Sequence, residues 1–428
     1  MLKKSKIIAA VLVFAMLFST ITSAAQAVNE QGAWVALDEN NPIELGIGKV
    51  IQMPIGTITP DAVFEFEAMP ISVDGVDYNN DEEEPNMPQL NTGNMTVSFD
   101  STNAASEPNA NNIISVTKTT DNIFAGVTFP HAGIFIYEIT ETSFTNPELD
   151  DETNPHDFVS YSMAIYRIRV YVVNTADFAD TYVHAVGIFQ VVLDDGTELE
   201  GEGTKLSQIT FTNNYVRTNG AIDPDDPDPV TESTLSISKT VAGDLANRDR
   251  YFNFNVALDI PILVEEIPEY YRAYIVENGV VINPVNNADD SLIDSDAGGY
   301  YIRVSTTAPT AFSLKHGQRL VFVNTPVGTS YTVDETATPD YTPSFVITTN
   351  NVIADEATGE VGGALGTDIQ FVGHLVNRAD FTNNRVSAVP TGLNINNLPF
   401  VGLIILAVGA LILFVAVKSR KRDTAIYR

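Results

Sequence analysis

The sequence predicts an all-β protein of two β-sandwich domains in tandem, on three observations. Residues 28–217 and 233–387 are filled with short alternating or β-branched runs. Examples are Ala62-Val-Phe64-Glu-Phe66-Glu-Ala68 and Ile165-Tyr-Arg167-Ile-Arg169-Val-Tyr171-Val-Val173, and Gly, Pro, Asn and Asp occupy the gaps. No helical period survives beyond a turn or two except at the two ends. Finally, Phe211-Thr212-Asn213-Asn214-Tyr215 returns as Phe381-Thr382-Asn383-Asn384-Arg385, and each copy closes one of the β-rich segments.

Taken in order, residues 1–27 read as a secretory signal. Lys3, Lys4 and Lys6 form the charged start, Ile7 to Phe18 the apolar core, and Ala25-Gln26-Ala27 the small-residue cleavage site. The first β domain follows over 28–217, then a Pro- and Asp-rich linker over 218–232 (TNGAIDPDDPDPVTE) with almost nothing to bury. The second β domain spans 233–387. The chain ends, over 388–428, with a short Pro-Thr-Gly motif, an 18-residue uncharged span from Phe400 to Val417, and a basic tail from Lys418 to Arg422.

Composition excludes several function classes. A net charge of −32, from 55 acidic and 23 basic residues, argues against nucleic-acid binding through phosphates. There is no cysteine, so neither a disulfide nor a thiolate metal site can form. The five histidines (His131, His156, His184, His316, His374) show no metal-ligand spacing, and no nucleophile elbow, P-loop or dinucleotide fingerprint is present. No metal, no cofactor and no catalytic turnover are expected.

Chemistry appears in what the alternation turns inward. Lys49 in Ile47-Gly-Lys49-Val-Ile51 and Lys239 in Leu235-Ser-Ile237-Ser-Lys239 both share a face with apolar neighbours. Glu141 shares the face of Tyr137 and Ile139, and Glu335 that of Tyr331 and Val333. Asn213 follows Phe211 by two positions and Asn383 follows Phe381 in the same way, whereas Asn214, Asn384 and Glu138 fall on the opposite parity. Only five lysines lie between signal and sorting motif (Lys49, Lys118, Lys205, Lys239, Lys315), and two of them open a domain on its apolar face. A Lys, a Glu and an Asn meeting in an apolar core would be driven toward the neutral amine and the protonated acid. The amine then attacks the Asn side-chain carbonyl, the Glu hydrogen-bonds that carbonyl and shuttles protons, and ammonia leaves. The product is a Lys–Asn amide bond, made once per molecule, with Glu141 and Glu335 as the assisting acids.

The phrases Ile47-Gly-Lys49-Val-Ile-Gln-Met-Pro-Ile-Gly56, Tyr137-x-Ile139-x-Glu141 and Ile209-Thr-Phe211-Thr-Asn213-Asn-Tyr215 resemble the streptococcal pilin isopeptide-linkage (FctA-like) domain of Gram-positive backbone pilins. The second domain resembles a related immunoglobulin-like (CnaB/FctA-like) isopeptide domain of surface proteins. One departure is Ala132-Gly133-Ile134-Phe135, where that family has Pro-Gly-x-Tyr. The resemblance implies the triads Lys49–Glu141–Asn213 and Lys239–Glu335–Asn383. Ala388-Val389-Pro390-Thr391-Gly392, followed by the apolar span and basic tail, resembles the sorting signal of wall-anchored proteins, which a sortase cuts between Thr and Gly. Ala388 and Val389 stand where the usual motif has Leu and Pro.

These resemblances imply a secreted structural protein of the cell surface, membrane-anchored until sorting. It would be a pilus shaft subunit whose partners are a sortase and neighbouring pilin subunits or peptidoglycan. A shaft subunit also needs an exposed acceptor lysine. The Tyr-Pro-Lys motif of many pilins is absent, and Lys205, just before the last strand of the first domain, is the choice among the remaining three. The alternative is a monomeric wall-anchored adhesin that binds a host or matrix ligand.

Overall fold

The computed structural model describes residues 40–78, 86–149, 156–219, 234–386 and 398–423. The expected signal, the linker from residue 220 onward and the sorting motif Ala388–Gly392 lie outside the described residues.

The described residues form two β-sandwiches and a C-terminal helix. In the first, the central strand Ile47–Pro54 pairs antiparallel with Ile113–Thr119 on one side and parallel with Ile209–Asn219 on the other. Asp157–Ser160 continues this sheet beyond Ile209–Asn219. The facing sheet runs Thr204–Leu206, Thr181–Val192, Ile165–Asn174, Gly133–Asn146, Ala62–Val73 and Val76–Asp77, with Thr96–Phe99 also pairing Ala62–Val73. Alternation explains the core. In Ile165–Asn174 the even-numbered Tyr166, Ile168, Val170 and Val172 are buried, and they pack with Ile47, Ile51, Phe64, Phe135 and Phe211.

The second sandwich repeats this plan. Leu235–Ala242 is central, pairing antiparallel with Gln318–Phe322 and parallel with Asn377–Asn384. The sheet continues through Tyr270–Glu277 and Gly299–Ser305 on one side and Thr342–Thr349 and Val352–Thr358 on the other. Phe252–Asp259, Thr310–Leu314 and Ser330–Glu335 form the body of the facing sheet. Its core is centred on Ile237, Phe254, Phe312, Val333 and Phe381. In both sandwiches the first strand is therefore laid alongside the last.

The expected boundary at residue 218 shifts. Thr218 and Asn219 are strand residues, because they pair with Thr325 and Pro326 of the second sandwich. Around that pairing the two sandwiches share a hydrogen-bonded joint. Asn219 Nδ2 donates to Gly373 O (2.7 Å), Val327 N to Arg217 O (2.8 Å) and His374 N to Gly56 O (3.1 Å). Ile58 N donates to His374 Nδ1 (3.3 Å), and burial, with Arg217 nearby, pushes that imidazole down to about 4, so it stays neutral.

The terminal helix, Leu398–Asp423, contains Pro399–Lys418, which is long and apolar enough to cross a membrane. Its described large apolar side chains from Phe400 to Val417 are exposed. It fits the anchor helix expected from the sequence.

Candidate functional site

Each sandwich core holds a Lys–Glu–Asn cluster, and the two are built alike. Lys49 lies opposite Phe211 in the parallel ladder, so Asn213, two residues on, projects from the neighbouring strand into the same core. Lys239 lies opposite Phe381 with Asn383 two residues on, the same register. The glutamate comes from the facing sheet in both cases, Glu141 from Gly133–Asn146 and Glu335 from Ser330–Glu335. Both glutamates sit where regular pairing breaks. Glu141 pairs with Phe66, and the ladder then skips to Thr145 opposite Phe64, a bulge of the kind that redirects a side chain. Glu335 is the last residue of its strand.

In the first cluster Lys49 Nζ is 2.6 Å from Glu141 Oε1 and 2.8 Å from Oε2. Asn213 Nδ2 donates to Glu141 Oε1 (2.8 Å), and both charged side chains are fully buried. In the second, Lys239 Nζ is 2.8 Å from Glu335 Oε1, to which Asn383 Nδ2 donates at 2.6 Å. Aromatic rings enclose the ammonium groups. Phe64 lies 4.8 Å from Lys49 Nζ, and Phe252 and Phe254 lie 4.6 and 5.2 Å from Lys239 Nζ.

Burial is the dominant electrostatic influence at both sites. It lowers Lys49 and Lys239 from 10.5 to about 8, against the opposing pull of their glutamates, and raises both Glu141 and Glu335. Such a pair is balanced between the ion pair and the neutral amine beside a protonated acid. Isolated buried ion pairs of this kind are costly to keep. The arrangement thus supplies an amine with an accessible neutral form, an amide within reach of the same acid, and a proton carrier touching both.

The neighbouring residues fall elsewhere. Asn384 is exposed and Asn214 faces away from the cluster. Glu138 pairs with Arg167 on the outer face (2.6 Å). Lys118 donates to Ser98 O and Lys315 pairs with Glu277 (3.0 Å), whereas Lys205 is exposed on the edge strand Thr204–Leu206 with no ion pair among the described residues. Among the described residues no group of His, Asp and Glu is placed to hold a metal.

Two groups around the first cluster were missed by sequence reasoning. Ser162 N donates to Asn213 Oδ1 (2.8 Å), and Asp194 Oδ1 accepts from Ser162 Oγ (2.5 Å) and Thr212 N (3.1 Å). The expectation that the acid hydrogen-bonds the carbonyl is therefore corrected in both clusters, since Asn383 likewise turns Nδ2 to Glu335 and its Oδ1 accepts no hydrogen bond among the described residues. Ser162 N–H claims Asn213 Oδ1, so the amide nitrogen is turned toward Glu141.

Residues 233–385 match the family model of a domain of unknown function, DUF7601. A pilin of Streptococcus pyogenes serotype M1 is 26% identical over 308 residues, 71% of this chain and 73% of that protein. Among solved structures, the major pilin from Streptococcus pyogenes aligns at 19% identity and a TM-score of 0.32, covering 81% of this chain and all of that one. A pilus-presented adhesin aligns at 15% identity and a TM-score of 0.22, over 52% of this chain and 37% of its own. In sequence the chain is pilin-like across most of its length.

Proposed function

We propose that the protein is a structural subunit of a cell-surface pilus, stiffened by one Lys–Asn amide bond in each sandwich and joined to its neighbours by a sortase. The observation that carries this reading is the pair of buried clusters. In each sandwich a lysine on the first strand and an asparagine on the last stand in matching register, and a glutamate from the facing sheet reaches both. Loss of ammonia would join Lys49 to Asn213 and Lys239 to Asn383, with Glu141 and Glu335 moving the protons. A pull on the ends of either sandwich would then pass through a covalent link instead of peeling strands apart. The likeness to a pilin supports assembly with other subunits.

Attachment would use Thr391 as the acyl donor once the anchor helix has held the chain at the membrane. Lys205 is the acceptor we favour, because its ammonium is exposed on a sheet edge while Lys118 and Lys315 are engaged.

The intact mass of the Val28–Thr391 ectodomain under denaturing conditions tests the bonds. The expected value is two ammonias below the sequence mass, with one restored in Lys49→Ala and the other in Lys239→Ala. An unmodified mass would remove the covalent reading and leave the adhesin alternative in front. Incubation with the cognate sortase tests Lys205. Lys205→Ala should abolish ladders of linked subunits without altering the two internal bonds.

A further inference from the structure

The two clusters present their asparagine carbonyls differently. In the first, Asn213 Oδ1 accepts the Ser162 backbone N–H at 2.8 Å, while Asn213 Nδ2 points at Glu141. In the second, Asn383 Oδ1 and Glu335 Oε2 are buried with no hydrogen-bond partner among the described residues. Attack by an amine on an amide places negative charge on the carbonyl oxygen. A donor fixed 2.7–3.1 Å from that oxygen stabilises the charge without having to reorganise.

We propose that the Ser162 N–H is the oxyanion donor of the first cluster, leaving Glu141 to serve the departing nitrogen, whereas in the second cluster Glu335 must serve both atoms. This rests on the covalent reading given above. The steps balance. Neutral Lys49 Nζ bonds to Asn213 Cγ, and the Cγ–Oδ1 double bond opens onto the Ser162 N–H. A proton from Nζ passes to Glu141 and from there to Nδ2, the Cγ–Nδ2 bond breaks, and ammonia leaves as the carbonyl re-forms. Nothing is oxidised or reduced. In the second cluster this scheme assigns the donor for Asn383 Oδ1 to a proton on Glu335 Oε2. Both atoms are buried without a hydrogen-bond partner among the described residues, and Glu335 Oε1 already holds Asn383 Nδ2.

The donor is held in place from behind. Ser162 lies in the 161–164 connection between Asp157–Ser160 and Ile165–Asn174. Asp194 ties it to the asparagine strand by accepting from Ser162 Oγ and from Thr212 N, the residue next to Asn213. Ser162 Oγ also accepts from Ala164 N (3.1 Å), and Met163 N donates to Asp194 O (3.0 Å). Asp194 is in this scheme a positioning residue, and only the Ser162 N–H touches a reacting atom.

The test follows ammonia loss by intact mass after the full-length chain, made by cell-free translation and captured in urea, is diluted into folding buffer. Supplying the α-hydroxy acid analogue of serine at position 162 turns the Tyr161–Ser162 amide into an ester and deletes that N–H alone. Loss of the first-sandwich ammonia should slow by about 10²–10³-fold, the usual effect of removing one oxyanion donor, with the second sandwich unchanged. Asp194→Ala should slow the first sandwich by about tenfold, and Asp194→Asn, which keeps an acceptor for Ser162 Oγ, should restore it. If the ester chain and Asp194→Ala both lose the first-sandwich ammonia at the parent rate, the proposal is overturned while the covalent reading stands. If the parent chain loses no ammonia at all, the covalent reading itself fails.

Discussion

In the first sandwich the asparagine carbonyl is held by a backbone N–H, and a second carboxylate, Asp194, stands behind that donor. In the second, the carbonyl and one glutamate oxygen are sealed in the core without a hydrogen-bond partner among the described residues. Yet the lysine and asparagine occupy matching positions in the two ladders, lysine opposite phenylalanine and asparagine two residues further on, and each meets a glutamate from the facing sheet. The parallel pairing of first and last strands therefore places the reacting groups, and the surrounding connections decide how each carbonyl is handled. One framework thus carries two degrees of preorganisation, and the differences between them are measurable.

The largest expected effect comes from removing an acid. Glu141→Ala and Glu335→Ala should each retain the ammonia of their own sandwich and leave a lysine buried without a counter-charge. The lost cross-link closes a loop of more than a hundred residues and is worth about 5 kcal/mol on chain-entropy grounds. An orphaned buried charge costs about 3–5 kcal/mol more. Calorimetry on the Val28–Thr391 ectodomain should show the transition of the altered sandwich fall sharply while the other keeps its covalent link. Equal loss from both transitions in either variant would mean that the sandwiches do not behave as separately linked units.

A smaller effect separates the linked from the unlinked state by pH. Asn213→Ala and Asn383→Ala leave the amines free, with Lys49 or Lys239 at about 8 in the folded protein against 10.5 unfolded. Between those values the unfolded chain binds more protons, so stability of each variant should rise as pH increases from about 8 to about 10, by up to about 3 kcal/mol. The raised glutamate acts in the acid range with the opposite sign. There the folded protein holds the extra proton, and stability falls as pH rises through that window. In the parent protein the amide no longer titrates, so the alkaline rise should be missing from urea midpoints. A rise of equal size in the parent would show that its lysines are free.

Period-two alternation made much of this legible in the sequence. It turns Lys49, Glu141 and Asn213 inward and leaves Glu138 and Asn214 outside, and the same count works for Lys239, Glu335, Asn383 and Asn384. It works because a strand has one geometry and its inner face is apolar. Ser162 and Asp194 were not legible, because they meet across 32 residues through two irregular connections and act through a backbone N–H that every residue but proline carries. The joint was hidden for a similar reason. Thr218 and Asn219 look like the start of a linker until Thr325 and Pro326 are brought beside them by the second sandwich.

That joint gives the smallest expected effect and the sharpest separation of covalent chemistry from assembly. Gly328 has φ near +84°, and a Cβ placed on it would lie 2.3 Å from Pro54 Cβ, at the end of the Lys49 strand. Its N–H also donates to Val372 O (2.7 Å), so the residue cannot simply move away. Gly328→Ala should therefore push the sandwiches apart at the joint at a cost of about 1–3 kcal/mol, the usual range for overpacking. Both clusters lie inside their own cores, so ammonia loss should be complete in each. Small-angle scattering should report a longer, more variable particle, and the pairing of Thr218–Asn219 with Thr325–Pro326 should lose protection from hydrogen exchange. An unchanged scattering profile with unchanged protection would mean that the joint yields locally and does not set the angle between the sandwiches. A lost internal bond would mean that closure of the Lys49 strand depends on the second sandwich, so that the two units are coupled.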